Sequence, residues 1–262
     1  MFFSYCIKPG ISASARLISF LPHSAKPISF TLYFSIFNLL FIIIFNLVQI
    51  YLLYLNYQMP FLREIIVKKN IRILIWKIDE SLSDIKGLSL ITVDQKKELN
   101  KRKTTSHKKQ YLASRRLIRM AELNELKNIF YETLSLKKNV FYSISHTQSF
   151  AVLGIGFEKV GVDIESYRPK ILNIKSKFIN SKENHFMKSN DVKIITKLWT
   201  CKEAIYKCVF DKTMSFREDI VVENFDMQTK YGRGQIHFKN KIIPINLHFS
   251  NFENHQLTLS YL

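Results

Sequence analysis

The 262-residue chain could hold one large domain or two small ones, and its 47% of apolar residues is ample for a core. A net charge of +18 at pH 7 suits acidic or phosphate-bearing partners, but the sequence lacks zinc-ligand spacing, an aromatic RNP-type strand and an arginine-rich arm, so it resembles no standard nucleic-acid module. Three cysteines, Cys6, Cys201 and Cys208, argue against a disulfide framework and for a reducing, cytoplasmic compartment.

Charge is unevenly distributed. Residues 1–58 hold only Lys8, Arg16 and Lys26 as charged side chains, and the stretch from Pro27 to Leu62 holds none. Its length suffices for one transmembrane helix, which needs about 20 apolar residues. A membrane anchor is the literal reading; a secretory signal fits less well because the apolar region is too long and no small-residue cleavage site follows. A third reading takes Met59 as the true start and residues 1–58 as upstream sequence, since their Phe, Ile, Leu, Asn and Tyr are residues of A/T-rich codons.

Beyond Met59 the apolar run Ile71 to Ile78 predicts a strand buried on most of its surface. Thr92, with Gln95 three residues on, predicts a capping box. From there to about Leu126 one or two helices follow, dense with basic residues that include Lys108, Lys109 and Arg115. Strands are expected at about Val140 to Ser145, Phe150 to Gly156 and Val160 to Glu165. After Pro169 come helical segments to Phe178, over Ser181 to Met187 and over Asp191 to Phe210. The chain closes in strands near 219–225, 234–238, 242–249 and 256–261. This order predicts an α+β fold of two similar halves, residues 59–166 and 167–262, joined near Tyr167.

The stretch Val160 to Glu165 alternates apolar and other residues with period two, so a strand there sends Asp163 and Glu165 to the same face. In the following long helix, Trp199, Glu203 and Lys207 stand four apart and form one stripe, with Lys202 beside it. Three carboxylates among lysines can hold a divalent cation and a phosphorylated ligand, because oxygen donors suit Mg²⁺. The plainer reading makes them a solvated strand face and surface ion pairs worth about 0.3–0.5 kcal/mol each. Cys201, beside Glu203, reads as a small packing residue or a thiol nucleophile.

Gly161-Val162-Asp163-Ile164-Glu165 followed by Trp199-x-x-Lys202-Glu203-x-x-x-Lys207 resembles the two-part signature of the 4′-phosphopantetheinyl transferases. Ser143-Ile144-Ser145-His146-Thr147 is similar to that superfamily's Ser-His segment, Ala113-Ser114-Arg115-Arg116-Leu117 to its arginine-bearing helix, and Tyr167-Arg168-Pro169-Lys170-Ile171 to the stretch after its acidic strand. The agreement runs in order from about Ile71 to the C-terminus. It implies a pseudo-twofold pair of halves with the active site in the cleft between them, in a monomeric, broad-specificity enzyme.

The implied reaction moves the 4′-phosphopantetheine arm of CoA to a serine of an acidic acyl or peptidyl carrier protein. By the same resemblance Asp163, Glu165 and Glu203 bind Mg²⁺, and Asp163, Glu203 and Lys207 are catalytic, with Glu203 as general base. Arg115, Ser145, His146, Lys202 and Lys207 then bind CoA, with Lys108 and Lys109 as weaker candidates. The rival from another class is a non-catalytic basic module for nucleic acid or an anionic membrane, which needs no Mg²⁺ and weakens steeply with salt.

Overall fold

The structure, a computed structural model, describes residues 61–89, 91–122, 140–187, 190–238 and 240–262, with positions 37, 39–41 and 44. Residues Met59–Leu262 form a compact unit in their own right. The expectations for the apolar leader fall almost wholly outside the described residues, among which no helix is long and apolar enough to cross a membrane.

Two antiparallel sheets make the fold α+β. The first joins β1 (Phe61–Lys68), β2 (Ile71–Lys77), β3 (Phe141–His146) and β4 (Phe150–Gly156) in the order β1-β2-β4-β3. Between β2 and β3 run α1 (Leu82–Leu88), α2 (Val93–Asn100) and α3 (Thr105–Glu122). The second sheet takes β5 (Val160–Ser166), β6 (Ile220–Val222), β7 (Tyr231–Phe238), β8 (Lys241–Phe252) and β9 (His255–Tyr261) in the order β5-β9-β8-β7-β6. From β5 the chain passes through two 3₁₀ turns and the short α4 (Asn184–Met187) into α5 (Val192–Val209).

β2 shows why the sequence runs apolar without alternation. Ile71, Ile73 and Ile75 pack toward Val160, Val162, Ile164, Leu257 and Leu259 of the second sheet, while Leu74 and Trp76 pack under Ile85, Leu112 and Leu117 of the helices. Both faces are covered, and each fully buried Ile or Leu side chain contributes about 1.5–3 kcal/mol. α5 covers the far face of the second sheet through Ile195, Leu198 and Ile205, which meet Ile236, Ile245 and Leu247. Each half thus sets one sheet against one long helix.

The Thr92 capping box forms as expected, the hydroxyl accepting from Gln95 N and the Gln95 amide oxygen accepting from Thr92 N. β1 was not foreseen: two register shifts against β2 break its alternation, and Ile66 faces solvent. β5, assigned from sequence to the first half, hydrogen-bonds along β9 in the second sheet. The helix expected to reach Leu126 is described to Glu122, and its remainder lies outside the described residues.

Candidate active site

β5 and α5 come unusually close, and Gly161 is the reason. A Cβ at that position would overlap the carbonyl oxygen of Ala204 and stand 2.5 Å from Cys208 N. Its hydrogen atom instead lets the helix settle on the strand, where the Ser260 hydroxyl donates to the Ala204 carbonyl at 2.8 Å. The next outward-facing residues of β5, Asp163 and Glu165, then meet the Trp199, Glu203 and Lys207 stripe of α5.

Asp163 is 3% exposed, and its partners are unevenly shared. Oδ1 accepts from Lys207 Nζ at 2.7 Å and from the Ser145 hydroxyl at 2.8 Å. Oδ2 is buried with no hydrogen-bond partner. Lys207 Nζ also donates to the Val162 carbonyl at 3.2 Å. Glu165 lies 3.7 Å from Arg168 and within the influence of the Trp199 side chain.

The electrostatics follow from that crowding. Burial, then the Asp163 charge, push the Glu203 carboxyl up to about 7; Lys207 opposes the shift and Glu165 adds to it. Glu165 moves up for the same two leading reasons. Three acidic groups within one another's field, one bearing a bare buried oxygen, form a site short of positive charge.

Residues 159–260 match the 4′-phosphopantetheinyl transferase superfamily. The matched segment runs from the start of β5 into β9 and contains Asp163, Glu165, Glu203 and Lys207. It supports phosphopantetheine transfer as the general activity, the work of a transferase. No curated protein matches the chain.

Within the matched transferase segment, Lys202 corrects a sequence expectation. It lies about 100° around α5 from Glu203, which turns it into the core and not toward a ligand. Nζ pairs with Glu183 at 2.8 Å and donates to the carbonyls of Ile220 and Phe216 at 2.7 and 2.9 Å. Both side chains of that ion pair are fully buried, and Glu183 also accepts from Val222 N and Asn180 N. Burial pulls the Lys202 pKa down while Glu183 works against it. Cys201, on the same inner face, is fully buried with its thiol pushed up to about 12, which suits packing and not nucleophilic attack.

Ser145 also differs from expectation. Its single proton goes to Asp163, and its oxygen accepts from Ile164 N at 3.3 Å, so the hydroxyl is taken up by β5 itself. Ser143, part of the same Ser-His segment but given no role from the sequence, does the matching job one pleat earlier by accepting from Val162 N at 2.9 Å. The signal was present as two serines at i and i+2 on one strand face. These hydroxyls bridge β3 and β5, edge strands of different sheets, along the seam between the halves.

His146 at the end of β3 keeps solvent exposure, and its pKa is lowered first by desolvation, then by the charges of Lys207, His107 and Arg102. It therefore lies where the basic residues of the first half approach the carboxylates of the second. Arg115 lines a cavity of about 590 Å³ with Arg102, Tyr111 and the ion pairs of Lys97 with Asp94 and Lys101 with Glu98, and both arginines stand over the Tyr111 ring. Lys109 lines a smaller cavity of about 320 Å³ with Ser106 and Gln148, and Lys108 is half-buried on the same helix.

Among the described residues no three His, Cys, Asp or Glu side chains stand close enough to hold one metal ion. Lys207 is the positive charge now on Asp163. The donors nonetheless suit a hard divalent cation: all are carboxylate oxygens, Asp163 Oδ2 is buried and unpartnered, and burial first, then the Asp163 charge, raises the Glu203 and Glu165 pKa values.

Proposed function

We propose that this protein transfers the 4′-phosphopantetheine arm of CoA to a serine of an acyl or peptidyl carrier protein and releases adenosine 3′,5′-bisphosphate. The observation that carries the reading is Asp163, its Oδ2 bare and its Oδ1 bonded to Lys207 of the helix that also bears Glu203, inside the matched segment. In the transfer the serine oxygen bonds to the phosphorus bearing the pantetheine arm, and the bond from that phosphorus to the bridging oxygen of the pyrophosphate breaks. The bridging oxygen leaves with adenosine bisphosphate.

Glu203 receives the serine proton, directly or through water, as the general base. Asp163 and Glu203 would hold Mg²⁺, with Glu165 as third ligand or holding a metal-bound water, and the ion when bound neutralises charge on the pyrophosphate. Lys207, partly exposed, can turn from Asp163 to a phosphate oxygen. Arg115 and His146 would bind the nucleotide end of CoA, with Arg102 beside them as the addition that the cavity suggests. Lys202 takes no part beyond fixing α5. Such a reaction belongs in the cytoplasm, where CoA is found, and the net charge of +18 would speed docking of an acidic carrier.

The test incubates the protein with CoA, Mg²⁺ and candidate apo-carriers and weighs the carriers intact. The expected product carries one added phosphopantetheine on serine, and Lys207→Ala should slow its formation on the order of 100-fold. Carriers that stay unmodified, or a variant as fast as the parent, would overturn the proposal.

A further inference from the structure

We infer that Ser145 is a positioning residue for the cation site, its hydroxyl acting through Asp163; this rests on the metal-binding reading above. A serine hydroxyl has one proton to give. Here that proton lies on Asp163 Oδ1, and the oxygen is held by Ile164 N. Ser145 is 8% exposed, so donating to a ligand would mean releasing Asp163 inside a buried seam. Oδ1 thus takes the Ser145 proton beside Lys207 while Oδ2 takes none, and when Lys207 turns to a phosphate Ser145 is the donor that stays on Oδ1. The carboxylate plane is thereby fixed and one oxygen is left for the cation, as outer-shell donors do in metal sites.

The neighbouring serine supplies the control. Ser143 makes the same kind of bridge to β5, through Val162 N, and bonds no carboxylate. If the two serines only tied the halves together, their removal would have like effects. If Ser145 positions Asp163, only its loss reaches the cation.

The experiment is calorimetric titration of Mg²⁺ into the full-length protein, Asp163→Asn, Ser143→Ala, Ser145→Ala and Ser145→Thr, with thermal unfolding of each. Ser145→Ala should weaken Mg²⁺ binding about 10-fold or more, Ser143→Ala less than about 2-fold, and Ser145→Thr should restore it. Should Ser145→Ala not fold, Ser145→Cys, a weaker donor of similar size, should show the same loss. Equal weakening by the two alanine variants, or Ser145→Ala binding like the parent, overturns the positioning role while the metal site stands. If Asp163→Asn binds Mg²⁺ as the parent does, or the parent binds none, the metal reading itself fails and the positioning role with it.

Discussion

Burial and the Asp163 charge push Glu203 to about 7 from an ordinary 4.5, with Lys207 opposing, so the folded chain carries this group against its preference. Between about pH 4.5 and 7 the folded state holds more protons at Glu203 than the unfolded chain, and stability falls as pH rises across that window. Glu203→Gln removes the penalty. Thermal unfolding with EDTA present should show the variant matching the parent near pH 4.5 and melting higher at pH 8; a variant less stable at pH 8 would contradict the assignment. His146, His248 and His255, each lowered chiefly by burial, slope the opposite way, but both proteins share them. The shared face of Asp163 and Glu165 was legible because alternation fixes it. The environment that raises Glu203 was not, since it depends on residues 38 and 40 positions away in sequence being folded against it.

α5 shows both sides of that limit. A spacing of four puts Trp199, Glu203 and Lys207 on one stripe, and each meets β5 or its carboxylates. Lys202, one position from Glu203, read as a CoA contact through its place in the signature, and a lysine is usually a surface residue. Its partner Glu183 and the carbonyls of Phe216 and Ile220 come from a separate turn and the approach to β6, which no local pattern announces. Lys202→Met should leave Glu183 buried and unpaired, costing about 3–5 kcal/mol. Urea unfolding measures it, and a loss below about 1 kcal/mol would show that the pair does not hold α5 in place. Gly161 read as one residue of a signature, and the close seating of the helix explains why that position has no side chain. β1 escaped notice for a different reason: Arg63, Glu64 and Lys68 interrupt its apolar residues, and two bulges break the period that marks a strand.

At the scale of the molecule, the α+β class and two sheet-and-helix halves followed from the order of elements. The seam did not, because the serine bridges of β3 to β5 join strands of different sheets. Across that seam the basic cavity bearing Arg102 and Arg115 belongs to the first half, the carboxylates to the second, and His146 feels charges from both. The proposed transfer requires those carboxylates to share one cation. Anomalous diffraction from crystals soaked in Mn²⁺, which takes oxygen ligands as Mg²⁺ does, tests it directly. One peak should appear at coordination distance, about 2.1 Å, from Asp163 Oδ2 and from a Glu203 oxygen, with Lys207 moved off Asp163. A peak that touches neither carboxylate, or no peak while Lys207 stays on Asp163, would contradict it.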